Sequence, residues 1–339
     1  MIYPYVQAWK PGVLPWVLRS RPRHFIKTMH ADRGSLETVL SYHPQCKVWY
    51  RHFVHPDDQQ QMLLIDPIGA AISLRDSVLA DLDNAGCRSL ISIVQGFNEV
   101  PQYLAEQHEL MDAEYCRLMA AEGLLVSSYS FSTGNPAKLP EDWQLYQPQT
   151  RKLISLHQYY RPMLNSPGYE WELLRHTKVR ELTGYAGHII LGETGIDWGG
   201  QHGDGWRRSG INAKQYSQQL YWLAEQLALS GVTAAMLFVA GGWGWESFEV
   251  SNEDAIADML SWIVQTYGVS LEEQTMPDTV YEFVLGFKDL ANRLGKDVVG
   301  TPVESEHYGP DGTTGIQTTT KGVMWYSKVG NQAGFIPFV

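Results

Sequence analysis

The sequence predicts an α/β protein, a closed (β/α)8 barrel followed by a small, mostly irregular and β C-terminal module. Three observations carry that fold class. Four amphipathic stretches each end in a glycine and run at once into a β-prone segment: NAG(86)CRSLISIV, AEG(123)LLVSSYSF, YAG(187)HIILGE and LSG(231)VTAAMLFV. Those β-prone segments are continuous apolar runs, the pattern of strands covered on both faces in a parallel sheet. Further runs of the same kind bring the strand count to eight, the number that closes a TIM-type barrel, and 339 residues leave room for an appendage beyond it.

Taken in order, strands are expected near 2–9, 24–30, 47–54, 89–97, 124–131, 152–160, 188–193 and 233–240. A glycine just past a helix end adopts the left-handed conformation without steric cost, so each of the four junctions reads as helix, cap, strand. Before Gly123, Met111, Tyr115 and Leu118 recur at helical spacing, and before Gly231, Tyr216, Leu220, Leu223 and Leu227 do the same. A last helix is expected from Ser251 to Tyr267, opening on a Ser251…Asp254 cap, with Ile256, Met259 and Ile263 on one face and Gly268 after it. No GxGxxG turn follows an early strand, which removes the usual signature of an open dinucleotide-binding sheet. The barrel is expected to occupy residues 1–268, a linker 269–280, and the turn-rich module 281–339.

Hydrophobic residues make up 44% and charged residues 19%, enough to build a sizeable core in a soluble globular protein. The net charge of −11 argues against a nucleic-acid footprint, which needs clustered Lys and Arg. Twelve Trp and eighteen Tyr suit either a large core or stacking on sugars. Cys46, Cys87 and Cys116 form no CxxC and read as reduced packing residues. The N-terminal MIYPYVQAW lacks a basic segment followed by an apolar one, so the chain as encoded is expected to start in the cytoplasm, with release by lysis as a further route. No run approaches the length of a membrane span.

In such barrels the chemistry sits at the carboxyl ends of the strands. Asn98 and Glu99 end the fourth strand, Glu193 ends the seventh, His157 and Tyr159 share one face near the end of the sixth, and Arg51 closes the third. Two glutamates at one mouth are what glycoside hydrolysis needs. One must keep a proton for the departing sugar oxygen, and the other must be ionised to attack or to activate water. Arg51, His157 and Tyr159 are candidates to hold the ionised partner, and Asn98 offers an amide to a sugar hydroxyl. Trp243 and Trp245 in AGGWGWESF, and Trp198 after GETGID, present flat faces on which a sugar ring could stack or which could simply close the barrel mouth. Asp197, Glu246, Lys27 and His30 lie close enough to the same strand ends to be alternative partners.

The order Asn-Glu after strand four, His-x-Tyr on strand six and a lone Glu on strand seven resembles the clan of retaining (β/α)8 glycoside hydrolases that includes cellulases, β-mannanases, xylanases and β-galactosidases. The resemblance implies Glu99 as acid/base, Glu193 as nucleophile, Asn98 as the 2-hydroxyl contact and Tyr159 as a partner of the nucleophile. It also implies a β-linked oligosaccharide or polysaccharide substrate, an aromatic floor after strand eight, and net retention with the two carboxyl groups about 5 to 5.5 Å apart. Many members read Asn-Glu-Pro, whereas here Val100 separates Glu99 from Pro101. Residues 281–339 resemble a single LGFP-type repeat, through LG, VG-x-P, a DG turn and GVMWY, which implies either surface or glycan anchoring or a cap on the barrel.

Neither HExxH nor a compact His/Asp cluster appears, so no metal or other cofactor is expected. No GxSxG occurs to support a serine nucleophile. The alternative to a glycosidase is a non-catalytic barrel that binds a glycan or cell wall, with the small module attaching it.

Overall fold

A computed structural model of the protein describes residues 1–136, 140–161, 174–197, 204–268, 285–299, 307–308, 314–319, 321–327 and 332–337. The expected linker 269–280 and Trp198 lie outside the described residues. The chain divides into two compact units, Met1–Gln274 and Thr275–Val339.

The first unit is a closed parallel barrel of eight strands in sequence order, β1 (Ile2–Val6), β2 (Phe25–Thr28), β3 (Lys47–Tyr50), β4 (Ile91–Gln95), β5 (Leu125–Phe131), β6 (Leu153–Tyr160), β7 (His188–Ile196) and β8 (Ala234–Ala240). β8 closes onto β1, with Ile2 opposite Ala235 and Tyr5 opposite Phe238. Helices α1 (Val13–Ser20), α2 (Arg33–Tyr42), α3 (Pro56–Ile65), α4 (Pro67–Asn84), α5 (Ala105–Ala121), α6 (Arg175–Thr183), α7 (Ala213–Leu229) and α8 (Asp254–Tyr267) lie between and after the strands. The break between α3 and α4 has a local cause. Pro67 cannot continue a helix, and the carboxylate of Asp66 caps the next one by accepting from the Ile68 amide at 3.1 Å.

Strand alternation sorts the apolar residues into two cores. Tyr3, Tyr5, Phe25, Trp49, Ile93, Leu153, Ile190 and Met236 fill the barrel interior. Their neighbours Ile2, Val6, Ile26, Val48, Val94, Ile154 and Leu191 face the helices. Among the described residues no helix is long and apolar enough to cross a membrane.

Local details depart from the sequence-level expectations. At the third junction the left-handed cap is Gly184 (φ 66°), directly after α6, while Gly187 lies within the connection to β7. The last helix starts at Asp254 without a side-chain cap, because the Ser251 hydroxyl donates to Glu249 at 2.6 Å instead. Gly268 follows that helix with φ −68°, outside the left-handed region.

Among its described residues the second unit holds two short helices, α9 (Leu285–Leu294) and α10 (Lys296–Val299), which its turn-rich sequence did not announce. It also holds an antiparallel sheet of order β12 (Gln332–Pro337), β11 (Gly322–Ser327), β10 (Thr314–Thr319), β9 (His307–Tyr308). Phe287, Leu290, Ala291, Val299 and Met324 form its small core.

Candidate active site

Toward the carboxyl ends of the strands the barrel interior becomes polar and charged. There a cleft of about 580 Å³ is lined by residues that include Arg51, Asn98, Glu99, Tyr159, Glu193 and Trp245.

Glu193 sits three residues before the end of β7. From Ile190, which faces inward, simple alternation would send residue 193 out toward the helices. A bulge reverses this: Leu156 pairs with Leu191, but the next residue, His157, pairs with Glu193, so Gly192 is the extra residue and Glu193 turns into the barrel. Gly192 suits the bulge because a Cβ there would lie 2.4 Å from the Ser155 hydroxyl and 3.2 Å from the Trp49 ring. The Gly192 carbonyl accepts from the buried Lys27 Nζ at 2.9 Å.

Glu193 Oε1 receives Arg51 Nη1 at 2.5 Å, and Oε2 receives the Tyr159 hydroxyl at 2.8 Å, with His157 Nδ1 at 3.6 Å. Burial pushes the Glu193 carboxyl up, but the charges of His157, Arg51 and Lys27 and the Tyr159 hydrogen bond overcome it and hold the group down at about 2. Burial and the neighbouring carboxylate push the Tyr159 phenol well above its ordinary value, so it stays a donor. Arg51 also donates to Tyr5 Oη at 3.0 Å. Burial drives Lys27 well below the usual lysine range; its Nζ lies 4.2 and 4.4 Å from the ring centroids of Tyr5 and Trp49.

Glu99 reaches the same cleft by a different route. β4 ends at Gln95, and Asn98 and Glu99 follow on a turn whose Phe97 and Val100 are buried. Gln59 accepts the Asn98 amide at 2.7 Å, and Gln95 donates to Asn98 Oδ1 at 2.8 Å, which leaves the Nδ2 end of Asn98 as its remaining donor. Glu99 itself has φ 54°, an uncommon conformation for a non-glycine residue, and its amide donates to the Ser130 carbonyl at 3.0 Å. Its carboxylate lies 2.7 Å from the same His157 Nδ1. His157 Nε2 is buried without a hydrogen-bond partner among the described residues, and Nδ1 is the ring nitrogen that faces the two glutamates.

One oxygen from each glutamate and the His157 nitrogen all fall within 4.8 Å of one another. The environments of the two acids differ. The Glu193 side chain is 8% exposed and faces cations, whereas that of Glu99 is 35% exposed toward the cleft. The trio is spaced so that one cation could contact all three, but the Arg51 guanidinium already occupies Glu193 Oε1 and would repel a divalent ion there.

The aromatic candidates separate. Trp245 lines the cleft, packed edge-on against Phe238 at 5.4 Å and Phe248 at 5.7 Å. Trp243 is 80% exposed and is not among the cleft-lining residues; its backbone is tied to the Gln7 side chain. Phe238, third from the end of β8, lines the cleft and touches Tyr5, Tyr159, Trp245 and Phe248, yet an all-apolar strand gave no reason to single it out. Tyr5 was hidden in the same way, although it pairs directly with Lys27, one of the alternative partners, and Lys27 pairs with Trp49, so inward parity marks all three as one layer. Among the alternative partners, Asp197 lines the cleft at the end of β7, while the exposed Glu246 carboxylate accepts from the Gly244 amide in its own loop.

No family model matches the sequence, and neither does any curated protein. Among solved structures the chain is similar to a glucosidase from Croceicoccus marinus, at 11% identity over 99% of this chain and 80% of that chain with a TM-score of 0.49. It is also similar to a glycoside hydrolase family 5 enzyme from Prevotella bryantii (10% identity, 75% and 87% covered, TM-score 0.45). A third likeness is to a family 5 mannosidase from Rhizomucor miehei (10% identity, 78% and 92% covered, TM-score 0.46). Likeness at this level does not extend to an activity, and the barrel stands on its own strand pairing.

Proposed function

We propose that the protein is a retaining β-glycosidase in which Glu193 is the nucleophile and Glu99 the acid/base. The observation that carries this is the pairing of two carboxylates, with oxygens within 4.8 Å, in opposite environments at one barrel mouth. Retaining hydrolysis needs carboxyl groups about 5–5.5 Å apart, whereas inversion needs roughly 6.5–9.5 Å to admit a water. Glu193, kept ionised by its cations, attacks the anomeric carbon as Glu99 gives its proton to the departing oxygen. The bond from C1 to that oxygen breaks and a glycosyl ester forms on Glu193. Glu99 then takes a proton from water, the water oxygen attacks C1, and the Glu193 carboxylate leaves. Asn98 Nδ2 supplies a donor toward a sugar hydroxyl, and Trp245 with Phe238 supplies an apolar floor.

Incubation with β-glucans, mannans, xylans and peptidoglycan tests the reading. Release of reducing sugar from at least one supports it; binding without product from any of them supports a glycan-binding barrel instead. The reading extends to residues 281–339, whose LGFP-like motifs support attachment to a glycan surface. Removal of those residues is then expected to weaken retention on peptidoglycan while hydrolysis of a soluble substrate persists.

The cation beside the nucleophile makes a separate expectation. Arg51→Met removes one of the charges that depress Glu193, so the acidic limb of kcat/KM should move to higher pH. Breaking a buried pair costs about 3–5 kcal/mol. A depressed carboxyl contributes stability above its unfolded value, here 4.5, and loses it as pH falls through the folded value of about 2. The stability gap between the native protein and Arg51→Met should therefore be widest above pH 4.5 and narrow toward pH 2, as measured by urea unfolding across that range.

A further inference from the structure

A second buried ionic cluster lies behind β5, and none of its members lines the cleft. Glu109 and Asp112, three apart on α5 and so on one face of it, are both clamped by Arg151, two residues before β6 begins. Arg151 Nε donates to Asp112 Oδ2 at 2.8 Å and Nη2 to Glu109 Oε1 at 2.5 Å. The two acids hold Tyr129 at both ends. Asp112 Oδ1 accepts the Tyr129 backbone amide at 3.2 Å, and Glu109 Oε2 accepts its hydroxyl at 2.6 Å.

What they hold is strained. Tyr129 and Ser130 are consecutive non-glycine residues in the left-handed region, at φ 70° and 44°. Such a conformation persists only where surrounding contacts enforce it, and neither residue type favours it. Its effect is local and directional. The pairing of β5 with β6 shifts between Ser128 and Phe131, and the Ser130 carbonyl is turned to accept the Glu99 amide at 3.0 Å. Buried ion clusters of this kind add little net stability compared with apolar packing, so fold stability alone does not account for this one.

We infer that Asp112, braced by Arg151, is a positioning residue for Glu99: it enforces the Tyr129–Ser130 kink whose carbonyl sets where the Glu99 carboxylate stands in the cleft. The inference rests on the glycosidase reading, with Glu99 as its acid. Without the brace the kink relaxes toward extended backbone, the Ser130 carbonyl turns away, and Glu99 loses the contact that holds its own left-handed backbone. A displacement of about 1 Å in a catalytic group lowers rate by as much as roughly 10²-fold.

The test separates misplacement of the acid from general damage. A phenolate leaving group needs a proton from Glu99, whereas 2,4-dinitrophenolate departs without one. Phenyl and 2,4-dinitrophenyl β-glucosides, mannosides and xylosides, with their disaccharide homologues, are assayed with the native protein and with Asp112→Ala. The expected result is a loss of kcat/KM on the phenyl substrate at least about tenfold greater than on the dinitrophenyl one. Where Asp112→Ala does not fold, Arg151→Lys takes its place, since it keeps the cation but cannot span both carboxylates; the same split is expected, smaller in size. Equal losses on both substrates, or no loss, overturn the inference and leave the glycosidase reading standing. Native protein that cleaves neither substrate overturns both.

Discussion

Glu193→Gln is expected to lower kcat by on the order of 10⁴-fold or more while the barrel stays folded, the scale seen when a covalent nucleophile is removed. The amide oxygen can still accept from Arg51, which holds Oε1 at 2.5 Å, while the NH2 in place of Oε2 donates to the Tyr159 hydroxyl, so that 2.8 Å contact is kept with its direction reversed. What it cannot do is attack. Arg51 loses the carboxylate it is paired with, and the stability cost should be about 3–5 kcal/mol, against the 5–15 kcal/mol typical of a domain. Circular dichroism and a thermal melt check folding, and an oligosaccharide binding isotherm should remain near native. Hydrolysis at more than a tenth of the native rate would remove Glu193 from the mechanism.

Glu99→Ala should show a different signature. Loss of general acid–base catalysis lowers kcat/KM by about 10²–10⁴-fold on substrates with basic leaving groups. With a dinitrophenyl leaving group the first step proceeds, the glycosyl ester on Glu193 accumulates, and its breakdown becomes limiting because water has lost its base. Added azide, a nucleophile that needs no base and fits the space the carboxylate leaves, should restore turnover and yield a glycosyl azide of the same anomeric configuration as the substrate. Equal loss on both leaving groups, with no azide effect, would place the acid elsewhere. Asp197, which also lines the cleft, is the next carboxylate to substitute in that case.

The strands of the barrel were legible because a strand covered on both faces must be apolar throughout, and eight such runs with helical stretches between them leave few other closures. Strand-end reasoning also led to Glu99, Glu193, His157, Tyr159 and Arg51, which the structure brings to one cleft. What it could not supply was the reason Glu193 faces inward. Alternation from Ile190 puts it on the outer face, and only the bulge at Gly192, a matter of pairing between strands, reverses that. The same limit applies to Glu99, whose position depends on a kink at Tyr129 and Ser130 that β-prone residues do not announce. Trp243 and Trp245 are equivalent by composition, and loop geometry alone exposes one and turns the other into the cleft. The misplaced cap at Gly187 has a simpler origin, since Gly184 and Gly187 both follow the helical pattern and the helix ended at the first of them.

The measurement that tests the central claim most directly is the anomeric configuration of the sugar first released, followed by proton NMR before mutarotation. In the proposed double displacement Glu193 attacks the anomeric carbon first and water second, so a β-glycoside should yield the β-anomer first. First appearance of the α-anomer would contradict the double displacement and the roles given to both residues.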